Sequence, residues 1–327
     1  MTTTEAGPEL ALCPAGARPG VQVLAPRDVP LGGPRAMAVR RTLPHRDRSF
    51  VGAWCFVDHY GPDDVAATGG MDVPPHPHTG LATVSWLFEG EIEHRDSGGV
   101  HAVVRPGEVN LMSAGHGIAH SEVSTPGTAR LHGVQLWVVL PAAARDGERA
   151  FQHHAAPMVD LAPGVRGRVF VGSFAGHASP VRTATPLLGV EVHLDAGTRW
   201  AAPVDPAHEH ALLLDRGSAT LAGTALAPGD LGVVDPGPST LEVVAHEPVR
   251  AVLLGGAPFE EEVVMWWNFI APTHDDVVAA RDAWQARSAR FGQVPGWDRE
   301  PGWLPAPQIP PVRLRPRGRS GRGGPPA

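Results

Sequence analysis

Lysine is absent from this 327-residue chain, so all 27 of its permanently basic side chains are arginines. This absence excludes enzymes that need a Schiff-base lysine or the lysine of a P-loop. The only cysteines are Cys13 and Cys55, and the first lies in a Pro/Gly-rich stretch, so no disulfide framework is expected. No apolar run approaches the roughly 20 residues of a spanning helix, and the start has no signal-peptide pattern. We therefore expect a cytoplasmic protein without a membrane partner.

Acidic side chains outnumber basic ones, and the formal net charge is −7. Residues 303–327 contain five arginines and no acid, so the preceding residues carry about −12. This balance opposes a basic nucleic-acid-binding body, and no direct nucleic-acid partner is expected. The 39 glycines and 35 prolines, with charged residues at only 19%, predict tight turns between short strands rather than an all-helical fold.

Short apolar stretches closed by turn residues predict two β domains. The first covers residues 36–145, and the second covers residues 160–272, after a polar, Ala/Pro-rich connection. The turns around Gly90 and Gly217 are followed by similar strand and Pro-Gly patterns, which favours two tandem copies of one β unit.

The two ends of the chain lack this pattern. Residues 1–35 are interpreted as a flexible leader that precedes or forms an edge strand, and residues 303–327 as a disordered Pro/Arg-rich tail. Between them, Thr273 and Asp276 form a capping box that predicts a helix over residues 273–292. Its apolar face consists of Val277, Ala280, Trp284 and Phe291.

The most informative residues are two histidine-containing pairs with i, i+2 spacing. In an extended chain His76 and His78 share a face, as do His120 and Glu122. Three imidazoles and a carboxylate inside a barrel suit Fe, Mn, Co, Ni, Cu or Zn and leave up to two coordination positions for substrate or dioxygen. A His-x-His pair also occurs on exposed strands without a metal, so spacing alone leaves that alternative open.

Longer motifs are present at His76–Val84, Glu89–Asp96, Pro106-Gly107, Ser113–Gly115, His120–Glu122 and His132–Trp137. They resemble the pirin family. The resemblance implies an all-β bicupin: two tandem double-stranded β-helix (jelly-roll) barrels with a short C-terminal helix. It also implies one metal ion, usually iron, held in the N-terminal barrel by His76, His78, His120 and Glu122, and no metal in the C-terminal barrel.

Two positions depart from the pattern that the resemblance carries. His116 stands where many pirins have arginine, and it is assigned to the substrate-pocket wall, with a fifth metal ligand as the alternative. Thr83 stands where the wider cupin pattern has a glutamate ligand, and it is also assigned to substrate binding. In the second domain, His208 and His210 lie out of register with the ligand positions, so they are interpreted as surface or loop residues.

Resemblance to bacterial pirins implies a metal-dependent dioxygenase, with iron as the first metal, that acts on flavonols such as quercetin and uses Glu122 as the base for the 3-hydroxyl proton. The partners are then an aromatic small molecule and dioxygen. Resemblance to animal pirins implies instead a non-catalytic, iron-binding, redox-sensing regulator that docks on a transcription factor or metabolic enzyme. An isomerase or hydrolase-like cupin is the third alternative. A self-contained bicupin favours a monomer.

Overall fold

The computed structural model describes residues 20–30 and 37–319, and it folds them into two β domains followed by a helix. In the part of the chain thus described, no helix is long and apolar enough to cross a membrane. The elements up to residue 145 are β1 (Val21–Leu24), β2 (Arg27–Pro30), β3 (Ala38–Leu43), β4 (Trp54–Asp64), α1 (Val65–Thr68), β5 (Asp72–His78), β6 (Leu81–Glu89), β7 (Ile92–Asp96), β8 (His101–Val104), β9 (Glu108–Ser113), β10 (Ile118–Ser124), β11 (Arg130–Val139) and α2 (Ala142–Arg145).

The second half continues with strands and ends in a helix. Its elements are β12 (Ala150–Ala155), β13 (Val159–Ala162), β14 (Val165–Val171), β15 (Ser173–Phe174), β16 (His177–Ala178), β17 (Leu187–Leu194), β18 (Arg199–Pro203), β19 (Glu209–Arg216), β20 (Ala219–Leu221), β21 (Thr224–Leu226), β22 (Leu231–Val234), β23 (Thr240–Ala245), β24 (Val249–Gly256), β25 (Val264–Trp266), β26 (Phe269–Ala271) and α3 (His274–Gln285).

Each domain pairs a seven-stranded sheet with a four-stranded sheet. The first domain has the orders β12-β9-β6-β11-β4-β3-β2 and β5-β10-β7-β8. The second has β1-β22-β19-β24-β17-β14-β13 and β18-β23-β20-β21. The strands β9-β6-β11-β4-β3 of the first domain correspond in order to β22-β19-β24-β17-β14 of the second. This confirms the prediction of an all-β chain built from two copies of one unit.

Equivalent glycine turns end β6 and β19. Gly90 has φ +88°, and a Cβ there would lie 2.4 Å from the carbonyl oxygen of Arg130. Gly217 has φ +89°, and a Cβ there would lie 2.4 Å from the carbonyl oxygen of Pro248. Only glycine fits such a left-handed turn pressed against a neighbouring strand, so the repeat seen in the sequence has a steric basis.

The two domains share one apolar core, flanked by two buried acids of β19. Glu209 accepts hydrogen bonds from Arg48 Nη1 at 2.9 Å and from the backbone N–H of Gly52 at 2.7 Å. Asp215 lies at the other end of β19 and contacts histidines of the first domain. Between these acids the core combines Trp54, Val57, Leu136 and Val138 of the first domain with Ala211, Leu213, Val252 and Leu254 of the second.

The leader segment links the two sheets. β1 pairs with β22 of the second domain, whereas β2 pairs with β3 of the first. Both lie at the edge of a sheet, in agreement with the expected edge strand, although the leader supplies two strands to two domains. Residues 1–19 and 31–35 of the predicted leader lie outside the described residues, as does residue 36.

The C-terminal helix begins as the sequence predicts. The Thr273 side chain accepts a hydrogen bond from the backbone N–H of Asp276, and the Asp276 side chain accepts one from the backbone of Thr273. The helix ends at Gln285 rather than at residue 292, because the chain turns at Arg287, which has φ +52°. Phe291 still packs on the helix, with its ring 5.4 Å from that of Trp284, but it does so from the following turn.

The prediction of a disordered tail is wrong over residues 303–319, which pack along both domains. Leu304 donates its backbone N–H to the carbonyl oxygen of Pro75 at 2.8 Å. Arg317 and Val263 exchange backbone hydrogen bonds of 2.8 and 3.1 Å. Arg319 pairs with Glu209. Backbone hydrogen bonds and single anchored side chains hold this segment, and neither produces an apolar period in the sequence. Residues 320–327 lie outside the described residues.

Candidate metal centre

Two neighbouring strands carry the predicted ligands. β5 ends with His76 and His78, and β10 carries His120 and Glu122. The antiparallel register sets His120 opposite His76, and an irregularity in the pairing follows His120. All four side chains are buried and line one cavity of the first barrel. The shared face inferred from the i, i+2 spacing therefore exists.

The three imidazoles form a tight cluster. Each of His76, His78 and His120 offers a ring nitrogen within 4.8 Å of the others, and Nε2 of His78 lies 2.9 Å from Nε2 of His120. Nδ1 of His76 lies 2.9 Å from the carbonyl oxygen of Pro74, which leaves its Nε2 for the cavity. Burial lowers the pKa of His76 to about 4 and the pKa values of His78 and His120 well below their usual range. The rings are therefore neutral at pH 7.

This donor set fits a divalent metal ion. A neutral imidazole presents a lone pair, and borderline divalent ions prefer such nitrogen donors. Two nitrogens bound side by side to one ion at about 2.1 Å are about 3 Å apart. The nitrogens of His78 and His120 already have this separation. An ion bound there would accept a lone pair from each of these nitrogens.

Glu122 faces the cavity beside this cluster. Its Oε1 lies 3.1 Å from Oγ of Ser85, whose Oγ also lies 3.0 Å from Oε1 of Gln135. Burial raises the pKa of Glu122, while His94 and the Ser85 hydrogen bond oppose that shift. The Glu122 carboxylate also forms a second candidate ligand set, together with His94 and His120. Its role as the fourth ligand stays a prediction.

The cavity has a volume of about 350 Å³ and aromatic walls. The rings of Phe56 and Trp137 stack, with centroids 4.1 Å apart and an interplanar angle of 11°. The guanidinium of Arg41 lies 4.0 Å above the Phe56 ring and forms two hydrogen bonds to Asp58. The remaining wall comes from the C-terminal region and includes Met265, Trp266, Trp267, Asn268, Phe269, Ile270 and Leu304.

Comparison with known families identifies the fold of both domains. The family model described as Pirin matches residues 36–138, and the model described as Pirin C-terminal cupin domain matches residues 189–292. The chain belongs to the pirin family. This confirms the resemblance seen in the sequence and the prediction of a bicupin, and together with the buried groups of candidate ligands it implies a divalent metal ion for this pirin.

Relatives of this pirin carry two kinds of name. A Pseudomonas aeruginosa protein provisionally named a quercetin 2,3-dioxygenase is 39% identical, over 91% of this chain and 93% of its own length. A pirin-like protein of Caulobacter vibrioides is 37% identical, over 76% of this chain and 88% of its own. The crystal structure of quercetin 2,3-dioxygenase from Acinetobacter baumannii has a TM-score of 0.85 at 38% identity, covering 90% of this chain and 97% of that one.

The structure does not bring His116 into the cavity of this pirin. Its side chain is 61% exposed and lies 3.9 Å from Asp146 on the surface. The reason is the turn at Gly115, which has φ +50° and packs against the backbone of Gly147. The extended geometry that would aim His116 at the metal is therefore lost, and the assignment to the pocket wall or to a fifth ligand is corrected.

Thr83 is buried on β6 but is not among the residues that line the cavity. It lies two positions before Ser85, on the same face of the strand. Ser85, rather than Thr83, reaches Glu122. The assignment of Thr83 to substrate contact is corrected accordingly.

Sequence reasoning missed His94 and Asp96, which stand behind His120. Nδ1 of His94 lies 3.4 Å from Nδ1 of His120, and Nε2 of His94 lies 3.1 Å from Oδ2 of Asp96. Both residues belong to the Glu89–Asp96 motif and share a face of β7. Their i, i+2 spacing was the available signal, the same one that singled out His76 and His78.

The second barrel has different side chains on β18 and β23, the strands that correspond to β5 and β10. Trp200 and Ala202 of β18 are buried in its apolar core, whereas Glu242 of β23 pairs with Arg199 on the outer surface. His210 is buried rather than on the surface, and burial lowers its pKa to about 4. Apolar packing thus occupies the inner face of the strands equivalent to β5 and β10.

A third buried cluster joins the domains. Asp215 Oδ1 lies 2.8 Å from Nε2 of His59 and 2.6 Å from Nε2 of His132, and Asp215 Oδ2 accepts a 2.6 Å hydrogen bond from Arg250. Burial alone would raise the pKa of Asp215, but these histidines and Arg250 hold it well below its usual range. The adjacent arginine opposes a bound cation at this cluster.

Proposed function

We propose that this pirin is a metal-dependent dioxygenase that cleaves flavonols such as quercetin in its N-terminal barrel, with Fe(II) as the first candidate ion. The observation that carries this proposal is the cluster of three neutral imidazoles beside Glu122, open to a cavity with aromatic walls. A divalent ion bound there supplies a Lewis-acidic, redox-capable position for flavonol and dioxygen. The similarity to proteins named quercetin 2,3-dioxygenase supports the choice of substrate.

Glu122 has the geometry of a general base. Ser85 contacts only one of its carboxylate oxygens, Oε1, and so leaves the other available to accept the 3-hydroxyl proton of a flavonol. Gln135 lines the cavity and contacts the same serine, which fixes the position of the carboxylate. Because the site is buried, the proton stays close to the reacting oxygen.

The walls suit a flat, polycyclic phenol. Phe56 and Trp137 offer a stacked aromatic wall, and Trp266 and Trp267 come from the β25–β26 hairpin. Offset stacking on such rings orients a planar substrate without needing charged contacts. Water is displaced from the same surfaces, which strengthens the polar interactions at Glu122.

The test is carbon monoxide release from quercetin under oxygen by the iron-loaded protein, measured against the metal-free protein. Turnover that depends on the metal supports the proposal. Its absence with every candidate ion, Fe, Mn, Co, Ni, Cu and Zn, contradicts it. Redox-dependent binding of one protein partner at 1:1 stoichiometry, without turnover, would then identify the alternative, an iron-binding regulator.

A further inference from the structure

Asp96, His94 and His120 form a continuous buried chain that ends at the candidate metal centre. β7 and β10 pair so that Asp96 lies opposite His120, and His94 lies opposite Glu122. Asp96 Oδ2 is 3.1 Å from Nε2 of His94, and Nδ1 of His94 is 3.4 Å from Nδ1 of His120. Asp96 and His120 are fully buried, and His94 nearly so. Water therefore does not compete for these contacts.

The order of hydrogen-bond donors and acceptors from Asp96 through His94 to His120 determines which ring nitrogen carries each proton. An ionised carboxylate only accepts hydrogen bonds, so Nε2 of His94 carries the proton that faces Asp96. A neutral His94 ring then has a lone pair on Nδ1, and Nδ1 of His120 must donate to it. A neutral His120 that is protonated on Nδ1 has its lone pair on Nε2, which is the atom that faces His78 across the cavity.

Asp96 is itself fixed by the turn after β7. Its Oδ1 accepts hydrogen bonds from the backbone N–H groups of Gly98 at 2.8 Å and Val100 at 3.2 Å. The carboxylate therefore cannot rotate without breaking the turn. This places its second oxygen permanently at His94.

We propose that Asp96 and His94 are positioning residues, which hold His120 in the tautomer that presents Nε2 to the metal. The proposal rests on the proposed metal centre. His94 could also be considered a ligand, since it groups with His120 and Glu122. However, Asp96 engages one of its nitrogens and His120 faces the other, so the geometry favours orientation of His120. Such outer partners commonly contribute 10–100-fold to metal affinity.

Asp96→Asn tests the direction of the proton chain. The amide oxygen can keep the hydrogen bonds from Gly98 and Val100, while the amide N–H₂ now faces Nε2 of His94 as a donor. This reverses the proton order and puts a proton on Nε2 of His120. We expect metal affinity, measured by competition with a chelator and by elemental analysis, to fall about 10–100-fold.

Glu93→Gln is the matched control, because it makes the same carboxylate-to-amide change on the same strand. Glu93 is partly exposed and pairs with Arg95 at 2.8 Å and His101 at 3.2 Å, away from the cavity. Its affinity for the metal should equal that of the wild type. Equal affinity in Asp96→Asn would overturn the proposal, and so would an equal loss in both variants.

Histidine ¹⁵N NMR of the metal-free protein gives a second readout that needs neither metal nor turnover. We expect His120 to be protonated on Nδ1 and His94 on Nε2, and Asp96→Asn to shift both tautomers. His120 protonated on Nε2 in the wild type would overturn the proposal. Because neither readout uses quercetin, a protein that shows these tautomers and this affinity loss but does not oxidise quercetin would contradict only the proposed function.

Discussion

Glu122 combines two proposed roles, metal ligand and general base, and substitutions at this residue can separate them. Glu122→Gln keeps the size and one oxygen donor but removes the charge and the basic site. It should retain part of the metal and lose at least about 10²-fold in quercetin turnover per bound metal, since general-base catalysis contributes about 10²–10⁴-fold. Glu122→Asp keeps the charge and should remain measurably active. Equal turnover per metal in the Gln variant and the wild type would remove Glu122 from the mechanism.

The histidine cluster predicts one metal ion per chain. His76→Ala removes a nitrogen donor from a buried set of three, so most of the bound metal should be lost. His153→Ala is the control, because His153 contacts Asn110 on the surface side of the first domain. Elemental analysis of the purified variants gives the stoichiometry. Two metal equivalents in the wild type would require a second site, with His208 and His210 as the first residues to examine.

At the scale of single residues, the sequence predicts contacts within one strand better than contacts between residues of different strands. The i, i+2 rule placed His76 beside His78 because strand geometry alone decides that relation. The contact between Ser85 and Glu122 depends on how two sheets face each other, which no local pattern encodes. The prediction for His116 was wrong for the converse reason, because the turn at Gly115 removes the extended geometry that the rule assumes.

Among the elements, the segment 303–319 differs most between the prediction from the sequence and the structure. Leu304 lines the cavity, its carbonyl oxygen accepts a 2.8 Å hydrogen bond from the indole of Trp284, and Ala306 is buried beside that helix. Arg313 pairs with Asp275 at the start of α3. The Pro-rich sequence shows no apolar face, yet its contacts reach α3, Pro75 of β5 and Glu209 of β19, and the segment packs as a whole.

A chain that ends at residue 302 should therefore be less stable than one that ends at residue 319. Burying even one large apolar side chain stabilises a fold by about 1.5–3 kcal/mol, and this segment also covers Glu209 with Arg319. We expect the midpoint of thermal unfolding to fall by more than about 4 °C. The chain ending at residue 319 is the control, since it keeps all of these contacts. Superimposable unfolding curves would show that the packing contributes nothing.

For the whole molecule, the shared core between the barrels predicts that they unfold together. The sequence indicated two similar domains, but it could not show that β19 of the second presents Glu209 and Asp215 to the first. That relation depends on how the finished barrels pack. The leader strengthens it, because β1 and β2 lie in different sheets. Stability of the first barrel is therefore expected to depend on the second.

Asp215→Asn tests this coupling. The Asp215 carboxylate is fully buried and contacts His59, His132 and Arg250. Removing its charge leaves the largely buried Arg250 without its charge partner, which should cost about 3–5 kcal/mol. Glu242→Gln breaks an exposed ion pair in the same domain and should cost at most about 1 kcal/mol.

The contribution of Asp215 to stability also depends on pH. Because the folded protein holds the pKa of Asp215 below its ordinary value, this contribution is complete above about pH 4 and decreases as the pH falls further. Unfolding followed by calorimetry at pH 7 should show one transition, shifted down in Asp215→Asn. A transition that splits, with the first barrel unchanged, would show that the barrels are independent.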